Sequence, residues 1–201
     1  MASVYKFEPI PRVSAAPRPE SVAQRRVRRG SRALAMLFTG LFGLFAGVMA
    51  IGLAAMLFYD GEGLRMGPSG TYIGGGPADT VAFGSLPLDQ RLVYVVVGAV
   101  RYVPVLMLFW HLRALFATYA AGQVFSRGAG VTFTRIGAWL TAYALTPLLC
   151  HLVLDATGYE LDAQWLHLAS VHAFVIGLMV MVIGQVMQVG REIQEDREGF
   201  V

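Results

Sequence analysis

The sequence predicts an all-α integral membrane fold: a bundle of four transmembrane helices behind a disordered basic N-terminal tail. Three observations predict it. Four long apolar stretches lie at about 33–59, 92–112, 136–154 and 165–189, close to or beyond the roughly 20 residues that cross a hydrocarbon core. Mean hydropathy is +0.57 and only 14% of residues are charged, which sets the chain apart from a soluble domain. The basic residues also crowd into alternate connections, as the positive-inside rule requires of a multi-pass protein.

Residues 1–32 carry Pro9, Pro11, Pro17 and Pro19 and then an arginine cluster. No apolar period supports a fold there, so a mobile cytoplasmic tail is expected. The polar lead-in is too long, and the apolar run behind it too extended, for a cleaved signal peptide. The first span, Ala33–Tyr59, has no charge and carries Gly40, Gly43, Gly47, Ala50 and Ala54 at spacings of 3, 4, 3 and 4. Such residues share one helical stripe and allow close backbone approach, so this face is expected to be the wall against which the other helices pack.

Asp60–Arg91 reads as a solvent-exposed glycine-rich loop. Its Gly74-Gly75-Gly76 lacks the strand-before, helix-after setting of a phosphate cradle. The second span holds Pro104 and the third Pro147, both expected kinks. A short acidic connection, Asp155–Gln164, leads to the fourth span, where Ser170, Ala173, Gly177 and Gly184 form a second small-residue stripe. Residues 191–201 form a charged cytoplasmic tail that extends the last helix.

Charge sets the orientation. Eight basic residues precede the first span, Arg113, Arg127 and Arg135 flank the second turn, and Arg191 and Arg197 follow the last span. The opposite side holds only Arg65 and Arg91, against seven acids. Both termini are therefore expected in the cytoplasm. The arginines are a topological signal or an anionic-lipid contact, and nucleic acid is not an expected partner.

Few groups suit chemistry. Arg101 lies about ten residues into the second span, where a charge costs at least about 2.5 kcal/mol. It is expected to snorkel outward or to pair with Asp155 at the end of the third span. An anion, lipid-headgroup or quinone contact is the alternative. His151 and His172 stand near a shared outer turn, so haem b held between them is a second alternative. No Ser/His/Asp set, His-Glu-x-x-His run or pair of carboxylates within a span is present. The single cysteine, Cys150, excludes an internal disulfide.

Leu112-Arg113, Gly122-Gln123-Val124-Phe125-Ser126 and Arg135-Ile136-Gly137 together resemble the signature of the domain of unknown function 2975 family, small bacterial membrane proteins that usually have four helices. The charged Arg191–Asp196 is similar to that family's C-terminal end. The motif residues Gly122, Val124, Phe125 and Arg135 mark the resemblance, which implies a four-helix inner-membrane protein and no established enzymatic activity. The resemblance leaves the function open; the small-residue seams, the charged tails at both ends and the lack of a catalytic constellation make the expected function that of a non-enzymatic accessory or regulatory subunit of a larger membrane complex, with lipids and other membrane subunits as partners. A haem- or quinone-binding electron carrier and a small-solute carrier or channel are the alternatives.

Overall fold

A computed structural model describes residues 22–67, 70–76, 78, 80–123, 126–159 and 168–198. Four helices dominate it: α1 (Val22–Phe58), α2 (Leu88–Ala120), α3 (Arg127–Thr157) and α4 (Leu168–Glu198). Each is long and apolar enough to cross a membrane. At about 1.5 Å per residue the shortest spans about 46 Å, well beyond the ~30 Å thickness of a hydrocarbon core.

α1 extends the sequence reading. Residues 22–32, expected to belong to the disordered tail, form its first three turns. The propensities of arginine and alanine favour this, and a helix already nucleated in the membrane propagates cheaply. Residues 1–21 lie outside the described residues. So do residues 165–167, where the fourth span was expected to begin.

The connection after α1 is more than a solvent-exposed loop. It folds into a three-stranded antiparallel sheet of order β2-β1-β3, formed by β1 (Leu64–Gly67), β2 (Gly70–Ile73) and β3 (Val81–Ala82). Arg65 pairs with Tyr72 on one side and Ala82 on the other. Alternation along β1 turns Leu64 and Met66 toward a small core of Phe83, Tyr94 and Leu154. The opposite face carries Arg65, whose guanidinium donates to Thr80 Oγ1 (2.9 Å) and to the Thr80 carbonyl (2.8 Å). The fold is therefore helical within the spans, with a small sheet capping one end.

The helices pack as consecutive neighbours: α1 on α2, α2 on α3, α3 on α4. Among the described residues no comparable interface joins α1 to α3 or α4, so these helices form an open row rather than a ring. Two glycines stop helices by the same device. Gly122 (φ 83°) follows α2, with Gly122 N–H donating to the Tyr119 carbonyl and Gln123 N–H to that of Thr118. Gly158 (φ 71°) follows α3, with Gly158 N–H to Asp155 and Tyr159 N–H to Leu154. Both are Schellman ends, which only a residue at ease with positive φ closes without strain.

Candidate interaction surface

The seam between α1 and α2 is aromatic. Phe38, Phe42 and Phe45 recur at i, i+4 and i+7 and so share one face of α1. Phe38 stacks on Phe116 at 5.6 Å and 5°, while Phe45 meets Phe109 and Tyr102 edge-on at 5.9 Å. Phe42 packs on Trp110, over which Arg113 lies at 5.1 Å. Each such pair contributes about 0.5–1.5 kcal/mol beyond its buried area, so the seam is a strong one.

The small-residue stripe of α1 lies on the opposite side. Gly40, Gly43, Gly47, Ala50 and Ala54 are all exposed, and a Cβ built on any of the three glycines meets nothing within 4 Å. The expectation that this stripe is the internal wall is therefore corrected. Large flat rings match the ridged face of α2 better than a smooth groove does, and they turn the groove outward.

Close backbone approach occurs instead between α3 and α4. A Cβ on Gly137 would stand 2.5 Å from the Gly177 carbonyl oxygen, and one on Gly184 would stand 2.7 Å from Thr134 N. Gly130 faces Gly184 in the same manner. The α3 half of this seam is a repeated Gly-x-x-x-Thr, Gly130 to Thr134 and Gly137 to Thr141, offset by one heptad. Each threonine hydroxyl donates back to its glycine's carbonyl, and Gln188 Nε2 donates to Thr134 Oγ1 at 3.3 Å. The repeat was readable in the sequence but hidden by the attention α1 attracts.

That seam fixes the heights of the histidines. Gly137 stands between the levels of Gly177 and Met181, and one heptad further along the pair Ala144 stands level with His172. His151 is seven residues beyond, about 10 Å along the axis. His172 is exposed and His151 half-buried. The two imidazoles are not brought together for a common axial ligation.

Arg101 and Asp155 are not brought together either. Cys150 Sγ donates to the Val97 carbonyl at 3.8 Å and Tyr94 Oη to the Tyr159 carbonyl at 2.8 Å, which sets the height of α2 against α3. Asp155 thus stands near the end that the sheet caps, while Arg101 lies one turn further from that end than Val97. Both side chains are exposed and no ion pair joins them. Arg101 belongs to the heptad stripe Tyr94, Arg101, Leu108, Leu115. Tyr94 and Leu115 are buried in the two hydrophobic clusters and Leu108 packs against the second. The stripe is thus covered above and below Arg101 and open at it.

The sheet-capped end is tied by Arg91, whose side chain is 11% exposed. It donates to the Leu86 carbonyl (2.9 Å), the Gly84 carbonyl (2.6 Å) and Asp60 Oδ1 (2.7 Å), joining the end of α1, the connection and the start of α2. Gly84 approaches the Asp60 backbone so closely that no Cβ fits. Phe83 packs edge-on against Tyr94 at 5.9 Å. Tyr159 Oη donates to Asp89 Oδ2 at 3.0 Å, and that bond, with the carboxylate charge beside it, raises the phenol above its ordinary value of 10.0.

Gly74–Gly76 follow strand β2 and lead to β3, not to a helix, so no phosphate cradle forms there. Of the motif positions, Gly122 ends α2, and Arg135 is an exposed residue of α3. Ser126 caps α3, accepting from Ala129 N–H at 3.3 Å. Val124 and Phe125 lie outside the described residues.

The family model described as "Protein of unknown function (DUF2975)" matches residues 85–199, more than half of the chain. The chain belongs to the DUF2975 family. The match begins just before α2 and takes in α2, α3 and α4, so the aromatic-seamed α1 and the sheet lie ahead of the part this member shares with the DUF2975 model. No curated protein and no solved structure matches the chain.

Proposed function

We propose that this DUF2975 member is a non-enzymatic, multi-pass protein of the bacterial inner membrane, with both termini cytoplasmic. In this reading it acts by contact, as an accessory or regulatory subunit of a larger membrane assembly. The observation that carries the reading is the outward stripe Gly40, Gly43, Gly47, Ala50 and Ala54. Elsewhere the exposed face of the spans is clothed in Val, Leu, Ile and Met. In lipid the hydrophobic effect does not join helices, and close van der Waals approach over small residues does. A smooth groove on an edge helix is what a neighbouring span would use.

The arginine-rich start of α1 and the basic inner turn support the orientation. Purification of the full chain in mild detergent, followed by native mass spectrometry, tests the reading. A stoichiometric complex with another membrane protein is expected, reduced by Gly47→Leu. A strictly solitary chain overturns it.

A further inference from the structure

We infer that Arg101 is the electrostatic anchor for one span of a partner protein, a transmembrane helix that carries an Asp or Glu near mid-membrane. The inference rests on the accessory-subunit reading and names the partner's chemistry.

Depth comes first. On α2, Arg101 lies ten residues from Arg91 and twelve from Arg113, about 15 Å and 18 Å at ~1.5 Å per residue. Arg91 is tied to the outer connection and Arg113 lies over Trp110 toward the other end. Arg101 is therefore at the middle of the span, too deep to meet a lipid phosphate without distorting the bilayer.

Isolation comes second. Among the described residues Arg101 makes no hydrogen bond and no ion pair. It is exposed although it occupies the stripe of α2 that buries Tyr94 and Leu115. Gly98, packed against Leu53 of α1, lies one turn before it, and the buried Pro104 lies three residues after. Between the two hydrophobic clusters the stripe is thus interrupted by one exposed cation.

Charge arithmetic selects the occupant. α1 holds no acid; the acids of α2, α3 and α4 are confined to the ends, at Asp89, Asp155 and from Glu192 onward. A second copy in the same orientation brings none of them to the level of Arg101. The counter-charge must come from a different chain, and a carboxylate is carried to that depth by a membrane-spanning helix. Arg101 is distinct from the α1 stripe, which faces away from α2.

The test uses the full chain in native membranes with Val105→p-benzoyl-phenylalanine, one turn beyond Arg101, as a photo-crosslinker. A crosslink to another membrane protein with Asp or Glu in the central third of a span is expected. Its yield should fall about tenfold with Arg101→Leu or with the partner's acid neutralised, the size of one intramembrane polar contact. Arg101→Glu should abolish it, and reversing the partner's acid to Arg should restore it. Arg101→Leu removes a costly charge, so detergent thermal stability should hold or rise, which separates lost contact from lost fold. Crosslinks only to lipid, to small amphiphiles or to a second copy overturn the inference. So does a partner crosslink that survives Arg101→Leu. If native mass spectrometry still finds the complex in that case, the contact reading stands while the anchor falls.

Discussion

Gly137 and Gly177 meet backbone to backbone across the α3–α4 seam: a methyl group on Gly137 would stand 2.5 Å from the Gly177 carbonyl oxygen, and one on Gly177 2.8 Å from Thr141 N. Neither neighbour is a flexible side-chain end, so the helices themselves must part. Gly137→Ala is expected to destabilise the protein by about 1–3 kcal/mol, the range for overpacking a close contact. Gly190→Ala is the control. It lies on the same seam's helix with nothing within 4 Å, and should be neutral or stabilising by up to about 1 kcal/mol through helix propensity. Unfolding titrations in mixed detergent micelles compare the two.

The Arg91 clamp predicts an asymmetry between its partners. Its guanidinium donates to three carbonyls, of Leu57, Gly84 and Leu86, while the Asp60 carboxylate is 80% exposed. Arg91→Ala leaves those carbonyls short of a donor, at about 1–3 kcal/mol for each that stays buried. Asp60→Asn removes an exposed ion pair worth about 0–1 kcal/mol. Limited proteolysis of the α1–α2 connection should therefore accelerate sharply for Arg91→Ala and scarcely for Asp60→Asn. Equal acceleration would mean that the ion pair, not the carbonyl contacts, holds the cap.

The sequence revealed the spans because length and apolarity are one-dimensional properties, readable without knowing what touches what. It could not reveal which face of a helix meets which neighbour. Gly40 to Ala54 and Phe38 to Phe45 each form a coherent stripe on α1, and spacing alone does not rank them. Partner shape ranks them: α2 offers Tyr102, Phe109 and Phe116 at heptad intervals, and rings take the rings. The His151–His172 and Arg101–Asp155 pairings failed on height, which Gly137, Gly177, Cys150 and Val97 set and which no local pattern encodes. The sheet-capped end was missed because its order rests on one arginine that joins nearby carbonyls, of Gly84 and Leu86, to Asp60 and the Leu57 carbonyl more than thirty residues away.

The two faces of α1 should respond oppositely to substitution. Gly47→Leu enters open space and leaves the aromatic seam untouched, so thermal stability of the isolated protein should change by less than about 0.5 kcal/mol. Phe45→Ala removes contacts to both Tyr102 and Phe109 and should cost about 3–5 kcal/mol if the seam packs like a core, less if lipid fills the gap. Differential scanning fluorimetry in detergent separates them. A strongly destabilised Gly47→Leu would show that the stripe does pack within the protomer.

Tyr159 gives the sheet-capped end a pH dependence whose sign follows from its bond to Asp89. The phenol is held protonated, because ionising it would lose the donated bond and set a second negative charge beside the carboxylate. Its folded pKa therefore lies above the ordinary 10.0. A raised pKa contributes stability that is fully present below the unfolded value and lost as pH rises through the folded one. Protease protection of the α3–α4 end should thus be flat from neutrality to about pH 9 and fall only in stronger alkali. Tyr159→Phe lacks both the donor and the titration, so it should be less protected at neutral pH and show a weaker alkaline fall. If the wild-type and Tyr159→Phe profiles run parallel throughout, the Asp89–Tyr159 bond contributes nothing to closing this end of the bundle.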